Sequence, residues 1–127
     1  MALVVRPAKA EWSPRPEPEK WQTVRRTLEA SGDLPRADWI FLEATSGEMP
    51  EAAEYLRSLE RDGSNVNFLG ALVLRRSVQS NWIVRPIGMR ALCSDGVLQR
   101  RDASGAWTAY PGRPGTPDRV RWICAQR

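Results

Sequence analysis

The sequence predicts an α+β fold in which two helices are followed by a small, mostly antiparallel sheet, with an extended arm at the N-terminus. Four of the ten prolines lie in residues 1–18, and two later segments carry apolar residues at three- and four-residue spacing. From Gly96 onward, short apolar segments alternate with turns that contain glycine and proline. Because 127 residues suffice for one hydrophobic core, we assign residues 1–18 to the arm and residues 19–127 to a single domain.

The arm is predicted to be extended. Each proline fixes its own φ angle and lacks a backbone N–H group, so we expect neither a helix nor a central strand here. Residues 2–5 are apolar and predict at most an added edge strand. Trp12 is the aromatic side chain of the arm, and we expect it to dock either on the domain or on a partner. The four prolines are Pro7, Pro14, Pro16 and Pro18.

The first helix is predicted from about Glu17 to Ala30. Trp21, Val24 and Leu28 form one apolar stripe at helical spacing. Gly32 follows the segment and suits a left-handed helix cap. We therefore expect the three apolar side chains to be buried in the core.

A buried strand and a second helix are predicted next. The continuous apolar run Trp39–Leu42 is typical of a buried strand, with a short helix as the alternative. The second helix is predicted from about Pro50 to Asp62, because Pro50 suits the first helical position and Gly63 ends the segment. The apolar face of that helix would consist of Ala52, Tyr55, Leu56 and Leu59.

The remaining elements are predicted mainly as strands. Residues 66–74 fit either a strand or a buried helix, because periodicity does not distinguish the two in a short apolar run. Residues 82–84 predict a short strand. Segments 97–101 and 106–110 predict a hairpin around a four-residue loop that contains Gly105. Residues 119–124 predict a last strand, with Val120, Trp122 and Cys124 on one face.

The composition excludes several classes of site. Histidine is absent and there are two cysteines, which excludes His-dependent triads and His-containing metal sites. We predict no catalytic residues, no metal and no cofactor, and we expect Glu43, Glu48, Glu51 and Glu54 to be solvated. No apolar run is long enough to span a membrane. Two cysteines without a targeting segment predict a cytoplasmic protein with both thiols buried and reduced.

The positive charge is concentrated in the second half of the chain. The net charge of the whole chain is +4, and 17 of its 19 basic residues are arginine. Acidic residues outnumber basic ones in residues 1–64, whereas basic residues outnumber acidic ones in residues 65–127. Such an asymmetry is typical of a surface that binds an anionic partner, most commonly nucleic acid. The alternative is that the arginines solvate the outer face of a sheet.

One segment resembles a known family. Residues 89–112 are similar to the end of a recognition helix and the following wing of winged helix-turn-helix proteins. The similar positions are Leu92, Gly96, Leu98, Arg100, Arg101, Gly105 and Trp107. The resemblance implies a helix that enters the major groove of DNA and a basic hairpin that contacts phosphates. It covers roughly a fifth of the chain.

These observations predict a small, basic, non-enzymatic nucleic-acid-binding accessory or regulatory protein, with DNA or RNA as its partner. The alternative is a protein-interaction module, such as an inhibitor or assembly component, that uses the Trp12 arm or an aromatic edge. A ribonuclease that works without histidine is the third hypothesis. We predict that Trp107 and Tyr110 stack on bases beside the arginines, or pack across the hairpin. The predicted contact residues are Arg75, Arg76, Arg85, Arg90, Arg100, Arg101, Trp107 and Tyr110.

Overall fold

Six antiparallel strands form one sheet, in which each strand is hydrogen-bonded to the next strand along the chain. One helix precedes the sheet and another follows it. A computed structural model describes residues 12–112 and 114–126. The elements are α1 (Glu19–Ser31), β1 (Ile40–Ala44), β2 (Glu51–Asp62), β3 (Asn65–Arg75), β4 (Ile83–Leu92), β5 (Val97–Arg101), β6 (Trp107–Tyr110) and α2 (Thr116–Ala125).

The predicted order of two helices followed by a small sheet is wrong. The first helix lies where the sequence predicted it, and its Trp21 and Leu28 are buried. The segment predicted as the second helix is β2, a strand of 12 residues. The sheet therefore dominates the fold, and β3 and β4 lie at its centre.

Strand β2 has helix-like apolar spacing because apolar groups pack against both of its faces. Ala53 and Tyr55 belong to one apolar cluster and Leu56 belongs to the other. The register with β3 shifts between Arg57 and Glu60, and Ser58 there has a φ angle of 58°. This irregularity makes the apolar positions follow neither a simple alternation nor a single stripe.

The last element is a helix, whereas the sequence predicted a strand. Helix α2 buries Val120 and Ile123, which are three positions apart, and this spacing places them on one helix face. Pro117 lies in the first turn of α2, where a proline costs no hydrogen bond. The ambiguous segment 66–74 is a strand, since it lies within β3.

The residues that resemble a recognition helix do not form one. Met89 to Leu92 end β4, and a turn connects them to β5. The predicted hairpin is present, because β5 pairs with β6 from Leu98 opposite Tyr110 to Arg101 opposite Trp107. The hairpin therefore continues a sheet and does not flank a DNA-reading helix, which corrects the expected winged-helix arrangement.

Each helix packs on a different face of the sheet. On the α1 face, Trp21 and Leu28 pack with Phe41, Tyr55 and Val73. On the α2 face, the helix residues Val120 and Ile123 pack against residues of β3, β4 and β5. Those strand residues are Val66, Phe68, Met89, Ala91 and Leu98.

A disulfide bond between Cys93 and Cys124 joins the end of β4 to α2, with the two Cα atoms 5.9 Å apart. The expectation of two reduced thiols is therefore wrong. The two residues are 31 positions apart in sequence, and they meet because α2 returns over the sheet. No helix among the described residues is long and apolar enough to cross a membrane.

The arm is described from Trp12 onward. The Trp12 ring packs edge-to-face on Trp122, with 6.0 Å between ring centroids. The Arg119 guanidinium lies 5.6 Å from the centroid of the same ring. Trp12 therefore docks on the domain, as one of the two predicted alternatives stated. The edge strand predicted for residues 2–5 lies outside the described residues.

Candidate functional site

Helix α1 covers only part of its face of the sheet, and the uncovered part carries arginine and tryptophan. Arg57 of β2 pairs with Leu69 of β3, and Leu69 pairs with Gly88 of β4. A β-carbon added at Gly88 would lie 3.4 Å from the β-carbon of Arg101, so Arg101 of β5 is the next neighbour across the sheet. Arg101 pairs with Trp107 of β6. We call this row the open face, composed of Trp39, Arg57, Leu69, Gly88, Arg101 and Trp107, with Asn67, Arg90 and Gln99 beside it.

Two arginines stack on Trp107 at one end of the open face. The guanidinium carbon of Arg90 lies 4.5 Å from the centroid of the Trp107 ring, and that of Arg101 lies 5.2 Å from it. The Gln99 side-chain oxygen accepts hydrogen bonds from Arg90 Nε at 3.0 Å and from Nη2 at 2.6 Å. Arg90 is thereby held in place, whereas Arg101 is exposed. Cations are attracted to the face of an indole ring, so the stack keeps both charges beside the ring.

A second stack lies at the other end of the open face. The Arg57 guanidinium carbon is 5.0 Å from the Trp39 ring centroid. Trp39 Nε1 donates a hydrogen bond to the carbonyl oxygen of Pro35 at 2.8 Å, which orients the ring. The two ends of the open face therefore present the same pair of residue types.

Two buried polar atoms near these stacks have no hydrogen-bond partner among the described residues. They are Nε of Arg57, a donor, and the side-chain oxygen of Asn67, an acceptor. Asn67 pairs with Arg90 across the sheet, so its side chain lies on the open face. A buried polar group without a partner costs about 1–3 kcal/mol.

The charge of the open face is predominantly positive. No ion pair joins Arg57, Arg90 or Arg101 to a carboxylate of the described residues. Glu60 and Asp62 lie on the same face, but at the end of β2 near the turn to β3. The three arginines therefore keep an uncompensated charge that attracts an anion.

Several arginines elsewhere in the described chain are paired with carboxylates. Arg25 binds Glu17 at 2.9 Å and Glu29 at 2.8 Å, and the Tyr55 hydroxyl donates to Glu17 at 2.7 Å. Burial acts to raise the pKa of Glu17, but the hydrogen bonds from Arg25 and Tyr55 outweigh it and lower that pKa. Burial and the negative charge of Glu17 raise the pKa of Tyr55. This cluster fixes α1 to the sheet.

The predicted contact residues do not form one surface. Arg90, Arg101 and Trp107 lie together on the open face. Arg75 is bound to Glu51 at 2.6 Å and stacks on Trp82, whose ring centroid is 4.6 Å away. Arg76 is exposed after the end of β3. The other three, Arg85, Arg100 and Tyr110, belong to the α2 face, since the pairing register places them with Leu72, Met89 and Leu98.

The second stack of the open face consists of two residues that sequence reasoning did not propose as contacts. Trp39 was predicted to lie in a buried strand, and Arg57 lies in the segment that was predicted to be the second helix. The run Trp39–Leu42 signalled a strand, but the position of Trp39 beside Arg57 follows only from the strand register. This end of the site could be found only by recognising that β2 is a strand.

The acidic residues around β1 and β2 bind basic side chains. Glu51 accepts hydrogen bonds from Lys20 and Arg75, which lower its pKa. Glu43 and Glu54 both bind Arg119. No group of three or more acidic or cysteine side chains within residues 12–112 and 114–126 is arranged to hold a metal ion.

Comparison with known proteins supplies no further guide: no family model, no curated protein and no solved structure matches this chain at a significant level. The function is therefore inferred from the geometry of the open face.

Proposed function

We propose that this protein is a non-enzymatic binding module for single-stranded nucleic acid, and that the open face is its contact surface. The observation that carries the proposal is the pair of Arg–Trp stacks at the two ends of one row across the sheet. Proteins that bind single strands combine a positive surface with aromatic side chains on which bases stack. The open face has both features.

The shape of the open face favours a single strand over a duplex. Reading a duplex requires a helix or a ribbon that enters a groove, and the open face is the surface of a sheet. Six strands give five interstrand spacings, so the row across the sheet is about 24 Å long. Leu69 and Gly88 occupy its middle, where small or apolar groups let a chain lie close to the sheet.

The arginines and tryptophans would contact different parts of the nucleic acid. Arg101 is exposed and has no ion pair, so it is free to contact phosphates. Trp107 and Trp39 are half-buried, so each ring is fixed but retains surface for a base. The terminal nitrogens of the half-buried Arg57 guanidinium would donate to a phosphate or base oxygen.

Fluorescence anisotropy with labelled oligothymidylate and oligouridylate tests the proposal. Loss of a base-stacking ring costs roughly 1–3 kcal/mol, so Trp107→Ala should weaken binding by about 5- to 150-fold. Arg101→Gln should flatten the slope of log affinity against log salt by about 0.7. Arg100→Gln, one residue away but on the α2 face, is the matched control and should change neither quantity by as much.

Two outcomes of the same titrations would refute the proposal. Absence of binding by the parent protein at low salt would overturn it. Equal losses of oligonucleotide affinity in Arg100→Gln and Arg101→Gln would show that the total charge of the protein, and not the open face, determines binding. Binding of a protein partner anchored by the aromatic side chains would instead be much less sensitive to salt.

The compartment is a separate proposal. The sequence predicted the cytoplasm, but disulfide bonds are rare there and persist in oxidising compartments. We infer from the Cys93–Cys124 bond that the protein works in an oxidising compartment and would meet nucleic acid there. Acid quenching of host cells followed by thiol alkylation tests this inference. Two alkylated cysteines in the native protein would restore the cytoplasmic prediction.

A further inference from the structure

The α2 face of the sheet, opposite the open face, contains a cavity of about 340 Å³. Its walls are mainly apolar and come from all six strands, with Ile123 of α2 at one side. This volume is within the range of small-molecule sites, which are typically apolar with a few polar groups. The principal apolar residues of the wall are Leu42, Phe68, Leu72, Ile87, Met89 and Leu98.

The cavity exists because a short helix packs on long strands. Helix α2 has 10 residues and is about 15 Å long, whereas β3 has 11 residues and is about 36 Å long. The helix therefore covers one end of the strands, near Val66 and Ala91. Further along β3, Gly70 contributes no side chain between Phe68 and Leu72, and this position forms the floor of the cavity.

The polar groups of the cavity indicate an uncharged ligand. Arg119 lines the cavity, but its two terminal nitrogens bind Glu54 and Glu43. The Arg119 guanidinium is therefore already bound by carboxylates of the protein. Tyr110 also lines the cavity, and its hydroxyl has no hydrogen-bond partner among the described residues. That hydroxyl can donate to or accept from one polar group of a ligand.

We propose that this cavity binds a small, uncharged, predominantly apolar molecule, with its one polar group directed to Tyr110. This binding is a second activity of the protein. It is separate from nucleic-acid binding, because the two sites lie on opposite faces of the sheet and share no side chain. The apolar site depends on burial and the open face on charge, so salt should affect only the open face.

Titration with N-phenyl-1-naphthylamine tests the proposal. This uncharged aromatic amine fluoresces more strongly in apolar surroundings, and we expect saturable binding of one molecule per chain that salt does not weaken. Gly70→Val should weaken binding at least tenfold by filling the floor of the cavity. A β-carbon at Gly70 would lie 3.4 Å from Met89 Cγ and 3.5 Å from the Ile87 carbonyl oxygen, which are ordinary contact distances. The strand should therefore accept the substitution.

Two further variants keep the test decisive. Ala109→Val adds the same residue type on the exposed part of the α1 face, and it should leave binding of the amine unchanged. If Gly70→Val does not fold, Ala52→Leu fills the cavity from β2 and should give the same loss. Absence of saturable binding, or parent-like binding by a folded cavity-filled variant, would overturn the proposal. Neither result would alter the oligonucleotide titrations.

Discussion

Reduction of the Cys93–Cys124 disulfide should destabilise the protein by about 3–4 kcal/mol without unfolding it. The bond closes a loop between residues 31 positions apart. In the chain-entropy treatment, releasing such a loop returns about 12 cal/mol/K to the unfolded chain, which corresponds to about 3.7 kcal/mol at room temperature. For a domain of this size, the melting temperature should fall by roughly 10–15 °C.

The reduced protein should keep its fold because apolar contacts also hold α2. Val120 is 1% exposed and Ile123 is 0% exposed, and both pack on the sheet independently of the sulfur atoms. Reduction changes the entropy of the unfolded chain more than it changes these contacts. The far-UV circular dichroism of the native protein should therefore be the same with and without reductant.

Urea denaturation with and without reductant measures the difference in unfolding free energy. The double variant Cys93→Ala/Cys124→Ala should resemble the reduced protein and should not respond to reductant, which controls for effects of the reagent. A difference below about 1 kcal/mol would refute the loop-entropy argument. Loss of secondary structure on reduction would refute the claim that α2 is held by Val120 and Ile123.

Two further changes test local interactions. The pKa of Glu17 is lower in the folded protein than in the unfolded chain, so its stabilising contribution is present above about pH 4.5 and is lost as the pH falls through the folded pKa. Glu17→Gln should therefore cost about 1–3 kcal/mol in urea melts at neutral pH, and the cost should shrink in acid. Asp102 accepts hydrogen bonds from the backbone nitrogens of Ser104 and Ala106, so Asp102→Ala should accelerate amide exchange at Ala106 several-fold. Exchange in β3 should not change.

The sequence correctly predicted the elements whose residue pattern is determined by local interactions alone. Helix α1 packs one stripe on one face, and the Trp21 and Leu28 spacing was sufficient to locate it. The β5–β6 hairpin is closed by a short loop in which Gly105 has a φ angle of 87°, as its glycine indicated. Both elements depend on neighbours within a few residues along the chain.

Elements that depend on distant neighbours were not predictable in the same way. Strand β2 is covered on both faces and contains the irregularity at Ser58, so its apolar positions imitate a helix. Helix α2 is short, and its Val120 and Ile123 are also compatible with a strand. The disulfide requires α2 to return to the end of β4. Each of these features is determined by tertiary packing, which overrides local propensity.

The candidate site was predictable in part. The basic hairpin directed attention to Arg101 and Trp107, which belong to the open face. The sequence also proposed Arg100, but adjacent residues of a strand point to opposite faces. Arg100 and Arg101 therefore cannot both belong to the open face. Arg57 could not be found without the pairing register of β2 and β3.

The Arg–Trp stacks on the open face also cover apolar surface of the sheet. The charge of the arginines distinguishes this structural role from the binding of a ligand. A sheet face without a helix exposes apolar surface, and the aliphatic stems of Arg90 and Arg101 can cover Trp107. Covering the ring requires only the stems, and a methionine would do so nearly as well. It does not require arginines without ion pairs, since Arg75 and Arg119 also stack on tryptophan rings and are both paired with carboxylates. The charge of the open face, more than its aromatic content, therefore supports the proposal of nucleic-acid binding.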